Sequence, residues 1–412
     1  MAGTGERQGD CDILIAGGGT AGLCAALAIA RSAPGLAVEV VDARPEDSGF
    51  RDERASAVAA GARRMLDRLG VWQEIEAQSQ AIHAMEITDS RTGDAVRPVL
   101  LAFDGEATDG EPFAHMVPNA SLLPTLGEAA REAGVRLTHG DAVQTFRAGS
   151  ATVTVGLRSG ETRRPKLLVA ADGIRSRLRS LAGIKTVAWR YGQTAIVATV
   201  RHERPHEGVA IEHFLPGGPF AILPLKGNRS SLVWTERKDG AERLLAADDF
   251  VFLVELERRF GHRLGRLEVD GPRQAFPLGL TLARDYVRPR FALLGDSAHG
   301  IHPIAGQGLN LGFRDVAALA ETVVDAARLG LDVGSLDVLR RYESWRRFDT
   351  FQMGVTTDLL NRLFSNDIAP VRLVRDIGLG IVERLPRLKR MFMGEAAGFG
   401  GALPKLMRGE AI

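Results

Sequence analysis

Cysteine and long apolar runs are both scarce in this sequence. Among 412 residues there are two cysteines, Cys11 and Cys24, which are too few for a disulfide framework or a cysteine metal site. No uninterrupted run of about 18 apolar residues occurs, and the polar N-terminus MAGTGERQGD lacks the apolar core of a signal peptide. The sequence therefore predicts a metal-free protein of the reducing cytoplasm, either soluble or attached only to a membrane surface.

A charge excess of either sign is also absent. The chain has 52 Lys and Arg residues against 51 Asp and Glu residues, which gives a formal net charge of +1. Because a nucleic-acid-binding protein carries a basic excess, the composition argues against nucleic acid as a partner. The content of 45% hydrophobic and 25% charged residues is that of a globular protein, and the length favours two domains or one large domain with insertions.

The first segment that carries chemistry is a glycine-rich turn, GGGTAG, between a predicted strand and a predicted helix. The unit consists of a strand at 12–16, a helix at 23–31 and a second strand at 38–41. Gly17, Gly19 and Gly22 form the pattern G-x-G-x-x-G, in which glycine lets the backbone approach a pyrophosphate and the helix N-terminus favours its charge. Asp42 ends the second strand and can accept hydrogen bonds from a ribose. The unit predicts a dinucleotide site, and the alternative is a tight structural turn.

A second segment places Asp172 and Gly173 directly after the apolar run 167–171, which reads as a buried parallel strand. A carboxylate at the end of such a strand, followed by glycine, suits a turn beside a dinucleotide. The alternative is an Asp-Gly turn in which Asp172 or Ser176 caps the following helix.

The third segment is the most specific. A strand at 291–295 leads into GDSAH and then HPIAGQGLNLG, with a helix that begins near Gly308 and carries Asp315. Asp296 can bind a polyol hydroxyl, the glycine-rich loop lets a flat ring lie against the backbone, and the helix N-terminus can stabilise the charge of a reduced flavin. His299 and His302 flank the loop, where they assist proton movement or only hydrogen-bond locally.

The three motifs in this order resemble the para-hydroxybenzoate-hydroxylase-like FAD-dependent aromatic monooxygenases. The segment HPIAGQGLNLGFRD at 302–315 is similar to the signature of the ubiquinone-biosynthesis hydroxylases within that family. So are RASAV at 54–58 and the stretch 214–234 that contains FLPGGPFAILPL. The resemblance covers essentially the whole chain.

The resemblance implies a role for each motif residue. Gly17, Gly19 and Gly22 would hold the FAD pyrophosphate, and Asp42 would bind the adenosine ribose. Arg54 would lie on the flavin side of the cofactor, Asp296 would bind the ribityl chain, and Asp172 with Gly173 would contact FAD and NAD(P)H. The residues under the isoalloxazine would be Pro303, Gly306, Gln307, Gly308 and Asn310. Pro303 and Gly306 are the predicted catalytic positions as parts of this loop, and no side chain is assigned as a base. One departure concerns Asn119-Ala120, where the branch commonly has Asn-Arg, so an extra cationic contact to the cofactor is in doubt.

The expected fold is α/β, with a Rossmann-like FAD-binding domain, an inserted, mostly antiparallel β-sheet domain for the substrate, and a helical C-terminus. The predicted FAD-binding domain spans 1–82, 113–184 and 280–334, the substrate domain spans 83–112 and 185–279, and the helical region spans 335–412. From Val371 to Lys405, apolar residues at helical spacing are bordered by Arg and Lys. This pattern is typical either of a helix at an anionic membrane surface or of one docked on the protein's own core.

The reaction implied by the resemblance is hydroxylation of a polyprenylated phenol in ubiquinone biosynthesis. Through a flavin C4a-hydroperoxide, FAD would use O2 and electrons from NAD(P)H or another donor. No second G-x-G-x-x-G is visible, so NAD(P)H would bind transiently. Alternatives are hydroxylation or epoxidation of another aromatic or polyene metabolite, and a flavin-binding, non-catalytic member of a quinone-biosynthesis complex. Contact with such a complex, or with the inner face of a bacterial plasma membrane, and the oligomeric state are left open.

Overall fold

Parallel strands form the first layer of the computed structural model. The structure describes residues 11–46, 52–92, 94, 97–104, 106–108, 110–365, 385, 393–394 and 397–412. Across one six-stranded sheet the order is β10 (Arg136–His139), β2 (Val38–Asp42), β1 (Ile13–Ala16), β14 (Leu167–Ala170), β22 (Phe291–Leu293) and β21 (Val287–Arg288). All neighbours are parallel except the β21–β22 pair. Because the buried strands β1, β14 and β22 run parallel to one another, their carboxyl ends lie at the same edge of the sheet, and the three predicted motifs that follow them meet there.

The helices of the described residues cover this sheet and the antiparallel sheet of the second layer. The helices are α1 (Thr20–Ser32), α2 (Ala60–Arg68), α3 (Trp72–Glu76), α4 (Asn119–Glu132), α5 (Arg177–Leu181), α6 (Lys238–Ala246), α7 (Asp249–Phe260), α8 (Gln307–Arg328) and α9 (Leu336–Phe364). Helix α1 is buried continuously from Gly22 to Ala30, and its small side chains let it pack closely against α8 and the sheet.

The second layer is a nine-stranded, mostly antiparallel sheet. Its order is β23 (His299–Gly300), β20 (Gln274–Ala283), β15 (Thr186–His202), β18 (Arg229–Arg237), β17 (Gly218–Leu225), β16 (Val209–Leu215), β5 (Ala84–Asp89) and β6 (Val99–Asp104), with β19 (Leu267–Val269) paired to β15. One face of this sheet packs a core around Phe220, Trp234 and Phe252 beneath α6 and α7. The other face turns towards α9.

Three smaller sheets complete the described strands. They are β11 (Val143–Ala148) with β12 (Val153–Leu157) and β13 (Thr162–Arg163); β3 (Ala55–Ala59) with β9 (Ala114–Pro118) and β4 (Gln80–Ile82); and β7 (Glu106–Thr108) with β8 (Glu111–Pro112). The predicted α/β fold class, with a parallel sheet, an antiparallel sheet and a helical C-terminal part, is confirmed. The predicted domain bounds stay a prediction.

The C-terminal part contains the long helix α9, in agreement with the helical sequence predicted from 335 onwards. The segment between Val371 and Lys405, predicted as apolar and basic, lies largely outside the described residues. Within the described part of the chain, no helix combines the length and the apolar character that a bilayer crossing requires.

Candidate active site

The glycine turn between β1 and α1 has both packed and open positions. A methyl group on Gly17 would lie 2.2 Å from the carbonyl oxygen of Ala171, and one on Gly22 would lie 1.9 Å from the carbonyl oxygen of Gly17. A methyl group on Gly19 would meet nothing within 4 Å. Gly17 and Gly22 are therefore required by close backbone packing, whereas Gly19 faces open space at the N-terminus of α1, where an anion can approach.

Asp42 lies beside this turn at the end of β2. Its carboxylate accepts hydrogen bonds from the N–H of Gly18 and the N–H of Arg44, both at 2.9 Å, and from the Arg44 guanidinium at 2.6 Å. Burial raises the pKa of Asp42. The hydrogen bonds and charge of Arg44, together with the Gly18 N–H, lower it by more, so the pKa of Asp42 lies below its usual value. Asp42 is thus an ionised acceptor that also fixes the turn; a ribose contact stays a prediction.

Asp172 follows β14 and is exposed, with Gly173 at a positive φ of 82°. The Asp172 carboxylate accepts a hydrogen bond from the N–H of Leu178 at 3.2 Å, and Ser176 caps α5 through the N–H of Arg179 at 2.9 Å. The capping alternative is therefore present in the structure, and contact of Asp172 or Gly173 with a cofactor stays a prediction. Arg179 donates to the carbonyl of Ser297 at 2.6 Å, which ties this turn to the third motif.

Asp296 lies in the 3₁₀ turn Gly295–Ser297 after β22 and is accessible to solvent. Within the described residues, its carboxylate has no hydrogen-bond partner. The surrounding protein and the charge of Asp315 raise the pKa of Asp296, while His299 and Arg54 oppose that rise. An acidic side chain held without a partner beside a glycine turn suits hydroxyl groups of a bound polyol.

Arg54 is held by a polar cluster at the start of β3. Its guanidinium donates to both carboxylate oxygens of Asp52, at 2.8 and 2.7 Å, and lies 5.3 Å from the ring centre of Phe276. The hydrogen bonds to Asp52 raise the pKa of Arg54, and the charge of Asp296 adds to this effect. Asn119 donates to Asp52 at 3.1 Å and so helps to hold Arg54. Asn119 matches the Asn-Arg pattern of the branch, whereas the next residue, Ala120, departs from it.

The loop between β23 and α8 is pinned to β3. Gly306 caps α8 with a positive φ of 64°, and a methyl group there would lie 3.1 Å from the Cβ of Ala57. The side chain of Asn310 accepts from the N–H of Ala59 and donates to the carbonyls of Ala57 and Gly306. Gly308 faces open space, because a methyl group added there would meet nothing within 4 Å. A flat ring can therefore approach the loop backbone at Gly308.

His299 belongs to a buried ionic cluster rather than to an open surface. Its Nε2 lies 2.5 Å from Oδ2 of Asp315, whose Oδ1 accepts from Nε of Arg346 at 2.8 Å. All three side chains are at most 1% exposed. Asp315 also accepts from the N–H of Gly295 at 3.2 Å, so this cluster fixes the turn that presents Asp296.

His302 and Pro303 lie at the other end of the loop. The His302 ring is fully buried, and neither of its nitrogens has a hydrogen-bond partner within the described part of the chain. Burial lowers the pKa of His302 to about 4, against the opposing charge of Asp358. The ring packs edge-on against Tyr191 at 5.4 Å, and burial raises the pKa of that tyrosine. Both groups are neutral at pH 7, and their polar atoms are buried without a hydrogen-bond partner among the described residues.

The geometry thus brings Gly17, Gly19, Gly22, Asp42 and Asp296 to the carboxyl ends of neighbouring parallel strands, with Arg54 and the loop residues beside β3. The open positions at Gly19 and Gly308, and an exposed Asp296 whose carboxylate has no partner among the described residues, fit a dinucleotide with a flat ring. Sequence reasoning missed Arg44 and Asp52, although each lies two residues from a predicted site residue. It also missed Arg179 and Arg346, whose partners Ser297 and Asp315 lie 118 and 31 residues away and leave no local signal.

Comparisons with known proteins agree with this geometry. A family model described as an FAD binding domain matches residues 10–348. The chain is 46% identical over 423 residues to the ubiquinone hydroxylase UbiL of Rhodospirillum rubrum, covering 99% of this chain and 95% of that protein. It is 35% identical over 396 residues to the 3-demethoxyubiquinol 3-hydroxylase of Escherichia coli, covering 94% of this chain and 98% of that protein.

Among solved structures, the p-nitrophenol 4-monooxygenase PnpA of Pseudomonas putida DLL-E4 superimposes with a TM-score of 0.79. The superposition covers 96% of this chain and 99% of that one at 19% sequence identity. At this identity the similarity establishes a common fold.

Proposed function

The chain belongs to the FAD binding domain family, and from that premise we propose that it is an FAD-dependent monooxygenase that hydroxylates the ring of a polyprenylated phenol, a ubiquinone precursor. The observation that carries the proposal is the 46% identity to a ubiquinone hydroxylase over 99% of the chain. The site geometry supports it, because the loop from Pro303 to Asn310 keeps the open and packed glycines that a flat ring requires.

Bound FAD supplies the redox chemistry, which takes electrons from NAD(P)H or another donor and activates O2. The protein positions this group. The N–H groups at the start of α1, beyond Gly19, hold the pyrophosphate, and the ionised Asp42 accepts from the ribose. Arg54 lies near the flavin, held by Asp52. Asp296 accepts from the ribityl hydroxyls, which become the hydrogen-bond partners that its carboxylate lacks.

The phenol binds between the loop that precedes α8 and the nine-stranded sheet. An open depression of about 630 Å³ is lined by Trp189, Tyr191, Gln193 and Asn361, among others. Tyr191 packs against His302, at the start of the loop where we place the flavin ring, and we therefore place the phenol in this depression. Because His302 and Tyr191 are neutral and their polar atoms are buried beside this depression, they add no charge to it and limit the access of water.

The reaction is tested by following NAD(P)H oxidation of the purified, FAD-loaded protein with detergent-dispersed prenylated phenols. The proposal predicts oxidation that the correct phenol stimulates, whereas a non-catalytic flavin-binding member of a complex shows no stimulation. If another aromatic compound accelerates NAD(P)H oxidation and no prenylated phenol does, the substrate class proposed here is wrong.

The cofactor contact is tested with Asp296→Asn. We expect FAD affinity to fall by about 1.5–3 kcal/mol, because a charged acceptor of the ribityl chain is lost. Fluorescence titration of the apoprotein with FAD measures the change. The matched control is Asp337→Asn, whose side chain is 95% exposed on the first turn of α9. Equal dissociation constants in wild type and Asp296→Asn would remove Asp296 from the cofactor site.

A further inference from the structure

Helix α9 buries an unusually polar face. The buried residues along its middle and C-terminal part, which share spacings of three and four, are Tyr342, Arg346, Thr350, Gly354, Thr357, Asn361 and Phe364. Arg346, Thr350 and Thr357 are each at most 3% exposed. The interior of the protein therefore meets charged, hydroxyl and amide groups along this helix, with only a few apolar side chains among them.

The opposite face of α9 is apolar and exposed. Phe348, Phe351, Val355 and Leu359 are 69, 58, 45 and 62% exposed. Their spacings of three, four and four place them in one stripe along the helix, called here the α9 stripe. A helix against water normally has the reverse distribution, so the α9 stripe is a surface that gains by being covered.

Positive charge accompanies the stripe. Arg347, next to Phe348, lines an open depression of about 600 Å³ together with Lys185, Arg284 and Arg288. The one acid in that lining, Asp285, is paired with Arg288 at 2.9 Å. The exposed positions of α9 from 344 to 362 are Ser, Arg, Phe, Phe, Gln, Val, Thr, Leu and Arg. The two acids in this range, Asp349 and Asp358, are less exposed and are paired with Arg346 and Arg362, each at 2.9 Å.

We propose that the α9 stripe docks this protein on the surface of an anionic lipid bilayer. An apolar stripe bordered by Arg and Lys is the pattern of a helix that lies at the boundary between lipid headgroups and acyl chains. The cations beside Phe348 contact the anionic headgroups, while the two phenylalanines enter the apolar layer.

A second copy of the chain fits this surface less well. In a two-fold symmetric contact, the same patch on both subunits meets itself. Helices that pair in parallel through the stripe would bring Arg347 of one copy towards Arg347 of the other, and an antiparallel pair would bring it towards Arg362, whose charge Asp358 offsets at 2.9 Å. Like charges would then meet at a margin of the parallel contact, whereas an anionic bilayer matches Arg347 and the cations that line the adjoining depression.

The position of the stripe has a consequence for substrate access. Asn361, Arg362 and Ser365, at the C-terminal end of α9, line the depression that also holds Tyr191. Docking through the stripe therefore brings the C-terminal end of α9, which forms one wall of that depression, close to the lipid surface. This consequence, unlike the docking itself, rests on the proposed function, since it matters only for a substrate that resides in the membrane.

The docking is tested by flotation of the full-length, FAD-loaded protein with phosphatidylcholine vesicles that contain or lack phosphatidylglycerol. We expect flotation with the anionic vesicles that decreases with added salt. The double variant Phe348→Ser and Phe351→Ser should reduce vesicle partitioning by about tenfold or more, because two exposed aromatic side chains no longer enter the lipid. The matched control is Phe250→Ser, which removes a phenylalanine 76% exposed on α7 and should leave partitioning unchanged.

Several results would overturn the proposal. Wild-type protein that stays in solution with anionic vesicles shows that the stripe does not dock there. Equal flotation of wild type and the double variant shows that another surface is responsible. Sedimentation that turns from oligomer to monomer in the double variant, without vesicle binding by the wild type, identifies a protein interface. Turnover of a water-soluble, short-chain phenol should be the same in wild type and double variant, which separates a failure of docking from a failure of the proposed reaction.

Discussion

The side-chain oxygen of Asn310 accepts a hydrogen bond from the backbone N–H of Ala59 at 2.8 Å, although the two residues are 251 positions apart. The Asn310 amide nitrogen donates to the carbonyls of Ala57 at 2.9 Å and Gly306 at 3.2 Å. One amide therefore joins the loop between β23 and α8 to strand β3, which begins next to Arg54. Asn310 thus acts on the site by positioning the loop.

This relationship predicts the effect of Asn310→Asp. The variant keeps an acceptor for Ala59 but places a second oxygen against the carbonyls of Ala57 and Gly306. We expect FAD affinity to fall by about 1–3 kcal/mol, because buried polar groups lose their partners. Titration of the apoprotein with FAD checks this, with Asn228→Asp as the control, since Asn228 donates to the Glu203 carbonyl at an exposed position. An unchanged affinity would show that the loop is held without Asn310.

The two glycines Gly19 and Gly22 should separate cofactor binding from folding. Gly19→Val adds a side chain to open space, so we expect an apoprotein with wild-type thermal stability that takes up no FAD. Gly22→Ala places a methyl group 1.9 Å from the carbonyl of Gly17, so we expect it to lower the melting temperature of the apoprotein itself. Thermal unfolding with FAD quantification measures both. Stoichiometric FAD in Gly19→Val would contradict the pyrophosphate assignment.

The glycine turn could be predicted from the sequence because its signal is local. A strand, three glycines, a helix and Asp42 follow one another within about 30 residues, the size of one βαβ unit. The strand before Asp296 and the helix after Gly308 are predictable for the same reason, and the structure confirms both elements. The cofactor contacts of these residues stay predictions.

Contacts between distant segments could not be predicted. Nothing near His299 or Arg346 indicates that both meet Asp315 in the core. The capping of α5 by Ser176 could be expected only as an alternative, because an Asp-Gly turn suits both a cap and a ligand. For α9, the sequence predicts a helix, but its buried polar face and exposed phenylalanines contradict the usual link between hydrophobicity and burial.

Asp315 should be essential for stability, because it balances the buried Arg346. In Asp315→Asn the buried guanidinium keeps only the carboxylate of Asp349, 2.9 Å from its Nη1, and its Nε loses a charged partner, so we expect a loss of about 3–5 kcal/mol in the free energy of unfolding. The control is Asp325→Asn on the same helix, whose 3.6 Å pair with Arg341 is partly exposed and should contribute less than about 1 kcal/mol. Denaturant unfolding compares the two. Similar small losses in both variants would show that the carboxylate of Asp349 is enough to balance the charge of Arg346.

Glu212, buried on β16, predicts a dependence of stability on pH. Burial raises the pKa of Glu212 from 4.5 to about 8, so the folded protein favours the neutral acid. Ionisation of Glu212 destabilises the folded protein, and this loss of stability is absent below the ordinary pKa of 4.5. The loss grows as the pH rises from there and levels off above about pH 8. The stability gained by Glu212→Gln should therefore increase from about pH 5 to about pH 8. Thermal unfolding across this range tests it.

Glu268→Gln, an exposed substitution on β19, is the matched control and should give a difference that does not change with pH. A gain for Glu212→Gln that is equally independent of pH would show that Glu212 ionises in the fold as readily as in the unfolded chain.

The central claim is that this chain inserts one atom of O2 into the ring of a prenylated phenol. Mass spectrometry of the product formed by the FAD-loaded protein under isotopically labelled dioxygen tests it most directly. The account predicts one labelled oxygen atom in each product molecule, formed in proportion to the NAD(P)H consumed and lost in Gly19→Val. Consumption of NAD(P)H that yields only hydrogen peroxide, with the phenol recovered unlabelled and unchanged, would contradict it.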